Sequence, residues 1–215
     1  MPALAATPPP LVCLDPGHGS HARGTEAVGP GSSVRKPRDL AGAPGEAAVV
    51  LKLGLKTRAI LVKRGLRAAM TRTGPEFTLG DGGNIDRARF CNARHAALML
   101  RIHADGSSDS SVHGASTLYP ALHRGWTDDV LPESKTAAGI VHRAEIRATG
   151  AANRGLVARS DLTGFNWANV PVCLVETGFM TNPAERRRLR SSRYQWRVAR
   201  GLANGAAAFV GLPRA

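Results

Sequence analysis

Aromatic side chains are scarce in this chain and make up 5% of its 215 residues. A protein that binds nucleic acid by stacking bases on aromatic rings needs more of them, interleaved with basic residues. Long apolar runs are also missing, since no stretch approaches the roughly 20 residues of a transmembrane helix. We therefore expect no nucleic-acid binding and no membrane span, and the length suits a single globular domain.

Cysteine is scarce as well, with Cys13, Cys91 and Cys173 as the three examples. No two of them have the CxxC spacing by which thiolates commonly hold zinc. Cys13 and Cys173 fall in apolar segments predicted to be buried strands, where a thiol behaves as a small apolar group. We therefore expect free, buried cysteines rather than a disulfide framework.

The amino terminus lacks the marks of a secretory leader. Residues 1–10 are rich in proline and alanine, without the basic start and long apolar core of a signal peptide. We predict that residues 1–10 are disordered and that residues 11–215 form the functional domain. Export, if it occurs, then uses another route, or the leader is missing from this sequence.

Acidic residues are few, sixteen against twenty-nine lysines and arginines, which gives a formal net charge of +13. Such an excess raises the local concentration of anionic partners by long-range attraction. Nucleic acid, anionic lipid and an acidic wall polymer would all fit, and an arginine-rich coding bias would produce the same charge without a partner. The charge by itself does not choose among these alternatives.

Three short apolar runs end in residues that can bind a metal or carry a proton. Residues 11–14 lead through Asp-Pro-Gly to His18, residues 98–102 lead to His103, and residues 170–175 lead to Glu176. Apolar runs of this length, bounded by Pro and Gly, are typical of strands buried on both faces. Because α/β sheets carry their chemistry at the carboxyl ends of such strands, these three residues are candidates for one site.

Helical and extended patterns alternate along the chain. Apolar residues follow helical spacing from Glu46 to Gly65, whereas residues 19–44 have no apolar period and are predicted to form a long irregular loop, usually a functional feature. Further strands are predicted at 66–72, 98–105, 114–119, 155–159 and 170–178, and further helices at 85–95, 134–149, 183–190 and 194–209. The alternation predicts an α/β fold: a single domain with a mainly parallel twisted sheet of about six strands and helices on both faces.

The residue types at the strand ends suit a catalytic zinc site, which uses three imidazole or carboxylate ligands and leaves the fourth position to water. His18 and His103 supply two ligands, and Glu46 is the best third candidate because it opens a helix directly after the long loop. Two alternatives stay open at this point. The helix dipole by itself explains an acidic residue in a first turn, and Glu26 competes from within the loop, although no predicted element orients it.

Glu176 is the natural fourth member of this group. A carboxylate at the end of an apolar strand is costly to bury without a partner, and beside a zinc-activated water it can serve as general base and then acid. Zinc lowers the pKa of its water to about 7, so the metal and Glu176 suffice for amide hydrolysis. The chain has neither the GxSxG elbow of serine hydrolases nor the HExxH helix of zinc proteases.

The chain resembles the zinc-dependent N-acetylmuramoyl-L-alanine amidases of the amidase type 3 family in four segments: Asp15-Pro-Gly-His-Gly19, Glu46 at a helix start, Arg101-Ile-His-Ala-Asp105 and Val175-Glu-Thr-Gly-Phe-Met-Thr-Asn-Pro-Ala-Glu185. The similarity also includes Met70-Thr-Arg72 and Asp86-Arg87 through Asn92, and it runs from about Leu11 to the end. It implies that His18, Glu46 and His103 hold one zinc ion and that Glu176 acts on the attacking water. The implied reaction is hydrolysis of the amide between N-acetylmuramic acid and L-alanine in peptidoglycan.

Three further residues are candidates for substrate binding: Arg159, Asn166 and Asp105. The segment Arg159–Trp167 resembles a loop of some family members, and the fork of a guanidinium suits a stem-peptide carboxylate. A solvated loop arginine is an equally ordinary explanation for Arg159. Arg101 and Asp105 replace the small and amide residues usual in the family, which leaves fine substrate preference open.

The segment ahead of the Glu176 strand contains no clear inserted helix of the kind that plugs the site in autoinhibited family members. We therefore expect a constitutively open site. Trp126 and Trp167 are isolated loop tryptophans, suited either to stacking on sugars or to covering the core.

The resemblance implies action at the cell wall on muramyl peptides, by a monomer that is exported or encoded by a phage. The basic surface is expected to hold anionic wall polymers. Two alternatives remain: a zinc peptidase that cuts elsewhere in the stem peptide, and a non-catalytic basic protein that binds the wall or nucleic acid.

Overall fold

The computed structural model describes residues 8–38 and 41–211 of the chain. Residues 1–7 of the predicted disordered segment 1–10 lie outside this part, as do the last four residues of the predicted domain. The described strands are β1 (Leu11–Pro16), β2 (Thr25–Ala27), β3 (Arg35–Pro37), β4 (Arg67–Met70), β5 (Leu98–Asp105), β6 (Ala115–Pro120), β7 (Asn153–Arg159) and β8 (Val172–Phe179). The described helices are α1 (Glu46–Lys63), α2 (Asn84–Asn92), α3 (Leu131–Thr149), α4 (Thr163–Asn166), α5 (Pro183–Arg190) and α6 (Ser192–Phe209).

Six strands form one sheet in the order β4-β1-β5-β8-β6-β7. Strand β1 pairs in parallel with β4 and β5, β5 with β8, and β6 with β7, whereas β6 and β8 run antiparallel. The predicted α/β fold with a mainly parallel sheet is therefore confirmed. Because β1, β5 and β8 are parallel neighbours, the residues at their carboxyl ends lie side by side.

Helices cover both faces of this sheet. One core joins α1, α3 and α6 to the sheet through residues such as Leu14 and Leu202. The second core joins α2 and α4 to the opposite face around Phe165 and Cys13. Successive strand residues point to opposite faces, so the apolar run of β1 is buried along its whole length, as predicted for a strand covered on both sides.

Helices α3 and α6 approach each other closely because two glycines of α6 face the backbone of α3. A Cβ atom at Gly205 would lie 2.5 Å from the Cα of Val141, and one at Gly201 would lie 2.7 Å from the Cα of Glu145. Larger residues would separate the helices. The tight interface fully buries the carboxyl group of Glu145.

The predicted irregular loop at 19–44 contains structure that the sequence pattern missed. Strands β2 and β3 pair as a short antiparallel hairpin within it. Each strand is only three residues long, which is too short for an apolar alternation to be recognised. The indole N–H groups of Trp126 and Trp167 donate to the carbonyls of Pro30 and Ala27, so both tryptophans hold the hairpin in place.

The expectation that all three cysteines are free is wrong. Cys13 and Cys91 form a disulfide, and only Cys173 is free and buried among the described cysteines. Cys13 points to the sheet face covered by α2, the helix that carries Cys91, and their Cα atoms are 5.7 Å apart. That separation suits a disulfide, but the two residues are 78 positions apart in sequence, so only the packing of α2 brings them together. In the described part of the chain, no helix is both long enough and apolar enough to cross a membrane.

Candidate metal centre

The carboxyl ends of β1 and β5 bring His18 and His103 together. His103 lies in β5 and His18 lies just beyond β1, its parallel neighbour. Glu46 is the first residue of α1 and reaches the same point from the end of the long loop. The structure therefore brings all three residues with predicted ligand roles to one place.

The three side chains are close enough to share one ion. The Oε1 atom of Glu46 lies 2.9 Å from Nε2 of His18 and 3.1 Å from Nδ1 of His103. Each residue offers one ligand atom, and the three ligand atoms all lie within 4.8 Å of one another. Two imidazoles and a carboxylate are the donor set of many catalytic metal sites, so this cluster is a candidate metal centre.

The backbone around His18 explains the Pro-Gly-His-Gly sequence. His18 has a positive φ of 58°, a conformation that is uncommon for a residue with a side chain. Gly17 lies directly against the ring of His103, where a Cβ atom would collide with it. The neighbouring Gly19 has a φ of 80°, which glycine adopts at little cost. These glycines allow the loop to aim the His18 ring at Glu46.

Glu46 is held as a carboxylate. Burial favours its neutral form, but hydrogen bonds from His103 and His18 outweigh that effect and lower the pKa of Glu46 well below its usual range. The backbone N–H groups of Ala43 and Ala104 also donate to it. Burial lowers the pKa of His103, against the opposing influence of Glu46. The pair therefore favours a charged carboxylate beside a neutral imidazole, the forms that bind metals.

Arg72 connects the two segments that carry candidate ligands. Its guanidinium donates to the carbonyls of Pro16 and Gly17, at 3.0 and 2.8 Å, just before His18. It also donates to the carbonyl of Ala47, at 2.7 Å, in the first turn of α1. These bonds tie the end of β1 to the start of α1, and so fix the separation of His18 from Glu46.

A second buried network supports the same loop. Asp15 is paired with Arg87 and Arg101, each at 2.8 Å, and Arg87 also donates to the carbonyl of His18 at 2.7 Å. Although burial opposes ionisation, the two arginines hold the pKa of Asp15 far below its ordinary value. Arg72 and Arg87 both lie in segments that carry the family resemblance, but no local pattern in the sequence indicates these supporting roles.

Glu176 lies in β8 in register with His103 on β5. Its Oε2 atom is buried without a hydrogen-bond partner among the described residues. Burial, followed by the charges of Asp105 and Glu46, raises the pKa of Glu176 well above its usual value. A buried carboxyl with a raised pKa beside a candidate metal centre is suited to proton transfer.

A cavity of about 280 Å³ opens at the candidate metal centre, on the sheet face that carries the hairpin. His18 and His103 line this cavity, and their side chains are 13% and 14% exposed. Other residues of its wall come from the hairpin, from α2, from the end of β7 and from the segment between β7 and β8, among them Lys36, Asn84, Arg159, Asp161 and Thr163. The described segment between β7 and β8 contains only the four-residue helix α4. That the site is constitutively open stays a prediction.

The three candidate substrate-binding residues have different surroundings. Arg159 is in the cavity wall, where its guanidinium forms two hydrogen bonds to Asp161 at 2.7 and 2.9 Å. Asn166 is buried and donates to the carbonyls of Val28 and Ser160, so it supports the hairpin and does not reach the cavity. Asp105, like Glu46 and Glu176, does not line this cavity, but its charge contributes to the raised pKa of Glu176, and its side chain accepts a hydrogen bond from the N–H of Gly106.

Glu26, the competing ligand candidate, has a different structural role. It is buried in β2 and accepts hydrogen bonds from the backbone N–H groups of Asn84 and Ile85, at 2.9 and 3.1 Å. These N–H groups open α2, where a carboxylate is favoured by the helix dipole. The expectation that no element orients Glu26 is therefore wrong, and Glu26 is not part of the candidate metal centre.

Comparisons with known proteins show which families, sequences and structures resemble this chain. A sequence model of the family described as N-acetylmuramoyl-L-alanine amidase matches residues 12–208. An N-acetylmuramoyl-L-alanine amidase of Mycobacterium tuberculosis is 32% identical over 164 residues, which are 73% of this chain and 65% of that protein. The amidase AmiA of Salmonella typhimurium is 27% identical over 91% of this chain and 74% of its own length.

Two solved structures are also similar to this chain along nearly their whole lengths. The crystal structure of the amidase Ami1 from Mycobacterium smegmatis has a TM-score of 0.83 and 28% identity, over 94% of this chain and 97% of that one. The catalytic domain of CwlV, an amidase from Bacillus (Paenibacillus) polymyxa, has a TM-score of 0.74 and 25% identity, over 95% and 99% of the two chains.

Proposed function

The chain belongs to the N-acetylmuramoyl-L-alanine amidase family, and from this premise we propose that it uses one zinc ion to hydrolyse the amide bond between N-acetylmuramic acid and L-alanine in peptidoglycan. The observation that supports this proposal best is the cluster of His18, Glu46 and His103. Action at the cell wall, by a monomer, belongs to the same proposal.

The cluster fits zinc by its chemistry. The pKa shifts favour a neutral His103 and a charged Glu46. In addition, Nε2 of His103 is buried without a hydrogen-bond partner among the described residues. Burying such polar atoms is costly unless a partner compensates, and a cation would do so. His18, Glu46 and His103 would hold the ion. When bound, zinc supplies a Lewis acid that polarises the scissile carbonyl and acidifies water.

Glu176 is the group in this chain suited to move protons. We assign it to accept a proton from the attacking water as that water's oxygen bonds to the amide carbonyl carbon. The same carboxyl then delivers the proton to the nitrogen of L-alanine as the C–N bond breaks. The products are a carboxylate on the muramic acid and a free amino group on the stem peptide. The raised pKa of Glu176 suits this double role, because the carboxyl must both take up and release a proton.

The proposed reaction is tested with purified peptidoglycan. We expect new L-alanine amino termini with intact glycan, and no activity after removal of metal by a chelator until zinc is restored. New reducing ends would indicate a glycosidase, and amino termini of another stem residue would indicate a peptidase; either result would contradict the proposal. Activity that survives the chelator would exclude the zinc mechanism.

A further inference from the structure

The positive charge of the chain is concentrated on α1, α5 and α6, of which α6 packs against both α1 and α5. These helices contain eleven of the chain's twenty-nine lysines and arginines, and nine of the eleven are exposed. Their only two carboxylates, Glu46 and Glu185, are buried. The outer surface of these three helices, the basic face, therefore presents cations and no exposed carboxylate.

A cavity of about 640 Å³ lies on this face, where α5 and α6 meet the end of α3. Four arginines line it, Arg187, Arg188, Arg193 and Arg197, and no carboxylate does. Arg197 is engaged, since it donates to two backbone carbonyls at the end of α3, at 3.0 and 2.9 Å. Within the described part of the chain, Arg187, Arg188 and Arg193 form no ion pair.

Such a cluster is suited to an anionic ligand. The like charges repel one another, and no carboxylate in the cavity wall compensates them, so an anion would gain from all of them at once. A guanidinium presents a planar fork of donors that matches the oxygens of a phosphate. Because the three arginines lie on two adjacent helices around one concave surface, they can contact successive charges of one polymer.

The same face is poorly suited to nucleic acid bases. Trp196 is its large exposed aromatic residue, at 38% exposure, and the ammonium of Lys56 lies 5.6 Å from the centre of its ring. Tyr194 is half-buried in the wall of the cavity. Binding to single-stranded nucleic acid relies on open aromatic rings for stacking, whereas a polymer of phosphodiesters without bases needs only the cations.

We propose that the basic face, centred on this arginine-lined cavity, binds a phosphodiester polymer of the cell wall and so holds the enzyme on its substrate. The identification of a wall polymer rests on the proposed function, while the binding of polyanions by this face does not. The cavity is separate from the metal centre, since the two share no lining residue.

The test compares two triple variants that lose the same charge. One is R187Q/R188Q/R193Q, and the control is R23Q/R67Q/R124Q, which removes three exposed arginines elsewhere in the described chain. Binding to poly(glycerol phosphate), and to a single-stranded DNA oligonucleotide of equal charge, is measured over a range of salt concentrations. Cleavage of a small soluble muramyl peptide is measured in parallel and reports folding and catalysis.

We expect the first variant to bind poly(glycerol phosphate) about tenfold more weakly at low salt, with a shallower salt dependence because fewer counterions are released. The control variant should change by less than threefold, and both should cleave the soluble peptide like the wild type. Equal binding by the two variants would overturn the proposal, and so would a wild type that prefers DNA. If no protein cleaves the peptide but the binding pattern appears, the proposed function fails while the anion-binding face stands.

Discussion

Replacement of Arg72 by lysine should loosen the candidate metal centre without removing any ligand. Arg72 is only 4% exposed and joins the strand end before His18 to the first turn of α1. Lysine keeps the positive charge, but its single ammonium cannot reproduce the planar fork that reaches Gly17 and Ala47 together. R72K therefore tests whether the connection between the two segments matters for the metal.

The size of the effect follows from the hydrogen bonds that are lost. Beyond the bonds to the two segments, the Arg72 side chain donates to the carbonyls of Gly74 and Pro75. Hydrogen bonds to charged groups contribute about 1.5–3 kcal/mol each, and lysine would retain some of them, so we expect R72K to lose roughly 3 kcal/mol of unfolding free energy. Loss of groups that orient metal ligands typically weakens metal binding by about 10- to 100-fold, and we expect a zinc affinity reduced by that factor.

The assay separates these two effects. Urea unfolding of the metal-free protein gives the stability, and competition with a chromophoric chelator gives the zinc affinity of the folded protein. The control is R67K, which changes an exposed arginine of β4, the strand that ends two residues before Arg72, and it should leave both quantities unchanged. If folded R72K binds zinc as tightly as the wild type, Arg72 stabilises the fold but does not position the ligands.

Three further predictions concern two buried carboxyl groups and the disulfide. E176Q should lower kcat by about 10²- to 10⁴-fold while zinc affinity measured by chelator competition stays within a few-fold; loss of zinc would make Glu176 a ligand instead. E145M should stabilise the protein, because burial raises the pKa of Glu145 and its carboxyl oxygens have no partner among the described residues. The unfolded chain then releases the Glu145 proton at lower pH than the folded protein, so the wild type should lose stability relative to E145M as pH rises above about 4.5; a stability difference independent of pH in urea unfolding would refute this. Removal of the disulfide by C13S/C91S should cost about 4.5 kcal/mol of unfolding free energy, since the bond closes a loop of 78 positions. The urea midpoint of the variant should equal that of the reduced wild type and lie below that of the oxidised protein.

Much of the site was predictable because it is built from local patterns. The apolar runs that end near His18 and at Glu176 predict buried strands, and parallel strands expose their carboxyl ends at one edge. The ligand role of Glu46 was harder to predict, because a carboxylate in a first helical turn has an ordinary explanation in the helix dipole. Its position relative to the two imidazoles follows from the Arg72 contacts, which join segments 25 residues apart or more.

Other features depended on contacts between distant segments. Glu26 has no local pattern that distinguishes a ligand from a cap, and only its position against the start of α2 makes it a cap. Asn166 lies in a segment that resembles a substrate loop, yet it is turned inward to the hairpin. In both cases the side chain is the same polar group in either role, so the neighbours decide.

Local patterns in the amino-acid sequence specify the strand and helix periods, the order of the four motifs, the excess of arginine, and the two imidazoles and the carboxylates of the site. Those properties reside in single residues or in spacings of a few positions, where backbone geometry dictates the pattern. Packing of the folded chain brings distant groups together, as in the Cys13–Cys91 disulfide, the hairpin held by two tryptophans and the cavity lined by arginines on α5 and α6. These contacts cannot be predicted from local patterns, because burial and pairing depend on which distant segment packs nearby.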